Sequence, residues 1–365
     1  MSAQVAPLKR VRPQLARVAL LGTGVVGSAV WARLAGWLGT PLGERLSLVH
    51  VANSRDAITN HAGLAFDTSE LLLRNAPLAS DLGAVDVALG EGGLRIVIDA
   101  TASEDVAARH AHWLSSGIHV VTANKLGQGT SLARWHAIQS ARRVGGTGYG
   151  DSATVGAGLP LLRSLRELQA GGDRIHGIAG VLSGSMAWLC NAWDGRRPFS
   201  ELVRQARDAG YTEPNPLDDL SGEDVRRKLL ILARVAGDML EAGAVQVASP
   251  VPDELARLPR GQVDAALALL DAPMRDRHAD ARNAGAKLRF VARLQSGGLA
   301  TVGLEALPAD DALAAGTGTD NRVAIWSDRY RDNPLLIQGP GAGAGITAAA
   351  LLDDALRIQA VAARG

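Results

Sequence analysis

Only four of the 38 basic residues are lysine: Lys9, Lys125, Lys228 and Lys287. Arginine stays protonated at any working pH, whereas a lysine amine is compact and can be tuned to give up or accept a proton. Two of the four stand in motif-like surroundings. Lys125 closes the run Val120-Val121-Thr122-Ala123-Asn124-Lys125, and Lys228 follows Asp218-Asp219-Leu220-Ser221-Gly222-Glu223-Asp224 after three intervening residues. An ammonium in such company can donate a proton to an oxygen that is gaining negative charge, or stabilise that charge. Taken alone, each has an ordinary explanation: Lys228 pairs with Asp224 four residues back on a helix, and Lys125 is a solvated loop residue.

A second chemical feature lies near the N-terminus. Gly22-Thr23-Gly24-Val25-Val26-Gly27 follows a strand-like run and opens a helix-like one, which is the context a dinucleotide-binding glycine loop requires. Gly22 permits a tight turn, Gly24 lets backbone approach a pyrophosphate, and Gly27 lets helix and strand pack closely. The next strand should end in an acid if the adenosine ribose has a free 2′-hydroxyl. Here it runs into Asn53-Ser54-Arg55, with Asp56 only afterwards. Arg55 and Ser54 favour the 2′-phosphate of NADP(H), and Asp56 leaves NAD(H) open. Asp99-Ala100-Thr101 and Asn124-Lys125 fall at later strand ends, on the carboxyl edge where a nicotinamide would lie.

These residues need a frame. The first third alternates short apolar runs with amphipathic ones, as βαβ units feeding a parallel sheet do. Strands are expected near 16–21, 46–52, 95–99 and 118–122, and helices near 25–38, 103–115 and 130–142. The stretch 53–93 reads as a long crossover, part helical around 67–74. Beyond Tyr149 the rhythm changes: helices near 158–169, 185–193, 199–209 and 222–236, with strands near 174–182, 244–249, 287–295, 299–306 and 321–326. The fold class is α/β, a Rossmann-type doubly wound parallel sheet plus an α+β substrate and dimerisation domain. The expected division is 1–148 for the dinucleotide-binding domain, 149–339 for the second, and 340–365, with its alanine-rich helix, returning to the first.

Composition narrows the function. A chain of 365 residues suits two cores. The 38 basic and 37 acidic residues nearly cancel, and no segment gathers the basic clusters that track a phosphate backbone, so no nucleic-acid partner is expected. The lone Cys190 excludes an internal disulfide and reads as a core thiol. Lys9, Arg10, Arg12 and Arg17 precede only a strand-length apolar run, so neither secretion nor a membrane span is expected, and the protein should be cytoplasmic. Trp31 and Trp37 should pack the first helix, Trp188 and Trp193 the second core. His110, His112 and His136 lack metal-ligand partners and read as structural.

With these motifs in place, the chain resembles homoserine dehydrogenase. The resemblance is carried by the glycine loop at 22–27, Val121-Thr122-Ala123-Asn124-Lys125, Thr154-Val155-Gly156-Ala157-Gly158-Leu159-Pro160, Leu182-Ser183-Gly184-Ser185, Gly210-Tyr211-Thr212-Glu213-Pro214, the block from Asp218 to Lys228, and Gly339 to Thr347. It spans almost the whole chain and is closest to the dehydrogenase half of bacterial bifunctional aspartate kinase–homoserine dehydrogenases. Neither a kinase portion nor a C-terminal regulatory domain is expected, and hence no threonine feedback through such a module.

The resemblance implies reversible hydride transfer between NAD(P)H and L-aspartate 4-semialdehyde, giving L-homoserine. It implies Lys228 as proton donor, Glu213 and Asp224 as substrate-binding acids, and Asp219, Tyr211, Gly184 and Ser185 around the same pocket. Lys125 and Thr101 would stand at the nicotinamide end, with Gly210 and Gly343 as main-chain cofactor contacts. Main-chain carbonyls of Val155, Ala157 and Leu159 would help hold a monovalent cation such as Na+. Independently, a substrate ammonium calls for carboxylates, which Glu213 and Asp219 supply. Ser221 as N-cap would set Asp224 in the first helical turn and Lys228 one turn on along the same face.

Three positions depart from the family pattern. Ser152 stands where many relatives carry a cation-binding acid, Asn215 where an acid is frequent, and Leu217 where arginine is common. A homodimer is expected, because the second domain's strands are too few for a well-covered sheet in one chain. The competing readings are a non-catalytic NADP sensor and another amino acid or semialdehyde dehydrogenase on the same fold. A thiohemiacetal route needs a nucleophilic cysteine in an active-site loop, whereas Cys190 falls on a helix.

Overall fold

A computed structural model describes residues 15–66, 78–295 and 297–363. The first sheet contains β1 (Ala16–Leu21), β2 (Leu46–Ala52), β3 (Asp56–Thr59), β4 (Leu78–Ala79), β5 (Leu94–Asp99), β6 (His119–Thr122) and β7 (Tyr149–Gly150), in the spatial order β4-β3-β2-β1-β5-β6-β7. The five strands β2, β1, β5, β6 and β7 are parallel, while β3 pairs antiparallel with β2 and β4 antiparallel with β3 at one edge. β1 therefore lies between β2 and β5, and the chain direction across the sheet switches there, which opens the crevice that ligands of such sheets use.

Helices cover both faces. On one lie α1 (Val25–Ala35) and the C-terminal helix, whose Ala348, Leu351, Leu352 and Ala355 bury against Val30, Trp31 and Leu34. On the other lie α2 (Ala84–Leu89), α3 (Glu104–Ser115) and α4 (Leu132–Gly145), closed over Val97 and Val120 by Val106, Trp113, Leu114 and Ile138. Local chemistry sets their ends. The hydroxyls of Ser103 and Ser131 accept the amides of Val106 and Arg134, and Gly146 takes a left-handed conformation after α4.

The second half is built on a six-stranded sheet of order β13-β12-β8-β10-β11-β9, from β8 (Ile175–Val181), β9 (Val245–Ala248), β10 (Lys287–Gln295), β11 (Leu299–Leu307), β12 (Asp320–Ser327) and β13 (Leu335–Pro340). Its helices are α5 (Leu161–Ala170), α6 (Gly184–Ala192), α7 (Phe199–Asp208), α8 (Leu217–Leu220), α9 (Glu223–Ala236), α10 (Asp253–Ala256), α11 (Val263–Ala266) and α12 (Asp271–Asn283), before α13 (Ala344–Ala362). α9 runs through the centre of this core, with Leu229, Leu230, Ile231, Leu232 and Ala233 wholly buried.

Several expected bounds shift for physical reasons. The first helix stops at Ala35, capped by Gly36, rather than running to 38. The helix expected from 158 begins at Leu161, because Gly156 and Ala157 both have positive φ and hold a turn ahead of it. The crossover 53–93 contains β3, β4 and α2, and the helix expected at 67–74 lies outside the described residues. α12 buries only Met274 and Ala281, so its sequence carries little helical apolar period, and β13 mixes glycine and proline into a short run.

Candidate active site

The glycine loop leaves β1 at the crevice. Gly22 has φ +94°, and a Cβ there would meet the Ala100 carbonyl oxygen at 2.8 Å. A Cβ on Gly27 would fall 1.8 Å from the Gly22 oxygen, so helix and loop touch backbone to backbone. Gly24, the N-cap of α1, faces open space within 4 Å, and Val25 beside it is 79% exposed. Val26 packs inward. An uncovered helix N-terminus with a Cβ-free approach is what a pyrophosphate needs, and the loop fits a dinucleotide on these grounds.

At the end of β2, the Asn53 side-chain oxygen accepts the amides of Arg55 and Asp56, each at 2.7 Å, and makes Ser54 and Arg55 the tip of the β2–β3 hairpin. Both tip side chains are exposed, and the Arg55 guanidinium has no partner among the described residues.

At the end of β5, buried Asp99 accepts the amide (2.9 Å) and hydroxyl (2.7 Å) of Thr101 on one oxygen and His110 Nε2 (2.9 Å) on the other. His110 Nδ1 continues to the Tyr149 hydroxyl at 3.0 Å, whose ionisation burial pushes well above its ordinary range. His110 thus braces the carboxylate that orients Thr101. The Asn124 side chain donates to Ser103 O at 2.8 Å, joining the β5 and β6 loops just before Lys125.

Three charged groups meet where those loops approach α9. Lys228 Nζ lies 2.7 Å from Asp224 Oδ2 and donates to the Leu182 carbonyl at 2.8 Å, while Lys125 Nζ lies 3.2 Å from Asp224 Oδ1. Burial opposes ionisation of Asp224, but the charges of Lys228 and then Lys125 outweigh it and hold the carboxyl well below the usual carboxylate range. The expected N-cap is corrected: α9 starts at Glu223 with Gly222, φ +80°, as its cap, and the Ser221 hydroxyl accepts the Glu223 amide at 3.3 Å. A side chain at 222 would crowd Phe290 and Val247, so glycine takes the capping position.

Asp219 forms the second acidic point. Ser185 Oγ donates to one oxygen at 2.6 Å and the Glu213 amide to the other at 2.8 Å. Burial pushes this carboxyl up against those bonds, and both Asp224 and Lys228 act on it electrostatically. Ser183 caps α6 and thereby fixes Gly184 and Ser185 at its start. The Glu213 side chain is exposed and makes no bond among the described residues. Tyr211 lies with its ring 4.9 Å from that of Trp188, so Trp188 walls the site as well as meeting the core. Gly210, φ +74°, turns the chain out of α7 toward Tyr211, and Gly343, φ +123°, caps α13.

Two contributors carried no sequence signal. The Leu182 carbonyl is a main-chain acceptor, and buried Asn321 donates to it at 3.4 Å from the far strand β12. Cys190 is half-buried, and burial raises its thiol to about 11, which keeps it protonated and unreactive at neutral pH.

The loop 155–159 fits a monovalent cation poorly. Asp151 is bound by both terminal nitrogens of Arg166, and Ser152 donates from its amide and hydroxyl to Asp354, each at 2.9 Å. The Leu159 carbonyl already accepts the Leu161 amide at 2.8 Å. Val155, Ala157 and Leu159 would therefore offer neutral carbonyls with no carboxylate of this segment free to join them.

A family model described as Homoserine dehydrogenase matches residues 160–356, and one described as Homoserine dehydrogenase, NAD binding domain, matches 22–149. Bifunctional aspartokinase/homoserine dehydrogenase 2 of Escherichia coli (strain K12) is 38% identical over 93% of this chain and 42% of its own length. Homoserine dehydrogenase of Paracoccidioides brasiliensis is 34% identical, over 93% of this chain and 96% of its own. The chain spans about two fifths of the bifunctional relatives. Among solved structures, a Candida auris protein of unknown function superposes with TM-score 0.86 at 32% identity, covering 94% of this chain and 98% of that one. A putative homoserine dehydrogenase from Archaeoglobus fulgidus shares the fold, with TM-score 0.76 at 22% identity over 94% and 99%.

Proposed function

Because the chain belongs to the homoserine dehydrogenase family, we propose that it catalyses the reversible NAD(P)H-dependent reduction of L-aspartate 4-semialdehyde to L-homoserine. The observation that carries this reading is the Lys125–Asp224–Lys228 cluster facing the carboxyl edge of the nucleotide-binding sheet.

The dinucleotide, when bound, supplies the reducing equivalent. The Gly22, Gly24 and Gly27 loop, with Val25 and Val26, receives its pyrophosphate, and Thr101, Gly210 and Gly343 line its other end. Glu213 and Asp219 take the substrate ammonium, an opposite-charge match that Tyr211, Gly184 and Ser185 shape. The carbonyl oxygen then meets the ammonium of Lys228, which gives it a proton as negative charge develops there. Asp224 and the Leu182 carbonyl aim that amine, and Lys125 adds a second positive charge. The geometry favours NADP(H), because Arg55 and Ser54 stand free at the hairpin tip where a 2′-phosphate would fall. No step is assigned to a cation.

In this proposal 1–148 with 340–365 binds the dinucleotide, and 149–339 binds substrate and a second copy of the chain. Support for a homodimer comes from the sheet face turned away from the helices, where Leu299 and Leu336 are 50% and 41% exposed. A cytoplasmic setting belongs to the same proposal. Among the described residues no helix is long and apolar enough to cross a membrane.

Incubating the protein with L-aspartate 4-semialdehyde and NADPH tests the reaction. Amino acid analysis should detect L-homoserine in step with loss of reduced dinucleotide, and aldehyde recovered unchanged would remove the reading.

A further inference from the structure

Arg234 lies on α9 ten residues beyond Asp224, about 15 Å farther along the helix at 1.5 Å per residue. It is 1% exposed, yet among the described residues no carboxylate bonds to it. Nη1 donates to Gln128 O at 2.6 Å, Nη2 to Thr130 O at 2.7 Å and Leu240 O at 2.8 Å, and Nε to Leu240 O at 3.1 Å. Burial lowers this guanidinium to about 10, with Glu241 acting in the other direction, so it stays charged at neutral pH. Burying a cation without a paired acid is costly, and here main-chain carbonyls are its bonded compensation.

Two of those carbonyls, Gln128 and Thr130, belong to the segment that carries Lys125, and the third, Leu240, follows α9. The Gly129 amide bonds back to Lys125 O at 2.7 Å, and a Cβ on Gly129 would meet Lys125 O at 2.8 Å and Arg227 Cβ at 3.1 Å. The turn after Lys125 is therefore pressed directly onto α9. Glu241 completes the joint by accepting the Leu132 amide at 3.0 Å at the start of α4.

We infer that Arg234 is a positioning residue for the proposed reaction: it grips the Gln128 and Thr130 carbonyls and thereby holds Lys125, from the nucleotide-binding half, in register with Asp224 on α9. The inference rests on the reading that Lys125 acts in the site. A lysine at 234 keeps the charge but not the planar fork that spans carbonyls of both segments.

A double-mutant cycle tests this in the full chain, with homoserine oxidation as the readout. Arg234→Lys should lower kcat by about tenfold or more while changing KM for L-homoserine and Kd for NADP by less than about twofold. If Arg234 acts through Lys125, the double variant should turn over within about twofold of Lys125→Ala alone. A full, multiplicative loss in the Lys125→Ala background would overturn the inference and leave the proposed function intact. Wild-type turnover in Lys125→Ala would instead remove the reading on which it rests, and the inference with it. Should Arg234→Lys fail to fold, hydrogen exchange on the unaltered protein decides. The amides of Leu126 and Gly129 should match the protection of α9 around Arg234, and exchange faster by about 100-fold would overturn the grip.

Discussion

Asp224 and Lys228 are joined at 2.7 Å across one turn of α9, and the free oxygen of the same carboxylate reaches Lys125 at 3.2 Å. One carboxylate thus anchors two ammonium groups from the two halves of the chain, and its ionisation is favoured by both. A carboxyl whose folded pKa lies below its unfolded value of about 3.9 contributes stability that is complete above that value and is lost as pH falls through the folded one. Asp224→Asn should therefore be less stable than wild type at neutral pH, and the gap should begin to narrow once the pH falls below about 4. Urea unfolding across that range checks it, and a gap constant with pH would mean that the charge is not what stabilises.

Lys228→Ala should lower turnover by about 100- to 10,000-fold, the usual cost of losing a general acid, with NADP affinity nearly unchanged. The side chain touches Asp224 and the Leu182 carbonyl, not the glycine loop. Steady-state kinetics alongside a fluorescence titration of NADPH separate the two effects. Turnover near wild type would exclude Lys228 from proton transfer.

Arg55→Ala should weaken NADP binding by roughly 1.5 to 3 kcal/mol, the range for a charge-assisted hydrogen bond, and leave NAD binding alone. Asn53 organises the hairpin through its own side chain, so removing the Arg55 side chain should not disturb the turn. Equal losses for both dinucleotides would show that Arg55 acts on the fold or the pyrophosphate.

Much of the nucleotide-binding half was legible because its requirements are local. Gly22 has a positive φ and Gly27 meets the Gly22 oxygen, and such needs are written within six residues of sequence. Asp224 and Lys228 show their relation through helical spacing. By contrast, Lys228 meets Leu182 across 46 positions, Arg234 meets Gln128 across 106, and Asn321 meets Leu182 across 139. Each acceptor is a main-chain carbonyl, which every residue possesses, so no residue type announces it. The cap of α9 is hidden for a related reason: Ser221 has the chemistry of an N-cap, but the left-handed Gly222 takes that position.

Exchanging Na+ and K+ for choline at constant ionic strength should leave both turnover and thermal unfolding unchanged. Arg166 already neutralises Asp151, and Asp354 already ties down Ser152. Saturable stabilisation by one alkali cation would show that the carbonyls of Val155, Ala157 and Leu159 suffice to bind it.

The proposed function makes these two halves together a nicotinamide-dependent dehydrogenase for a short amino alcohol. The most direct measurement is the absorbance of reduced nicotinamide when purified protein is mixed with L-homoserine and NADP or NAD. Reduction should saturate with L-homoserine, be more efficient with NADP, and collapse in Lys228→Ala. No reduction with either dinucleotide, by protein that binds NADPH and is folded, would contradict it.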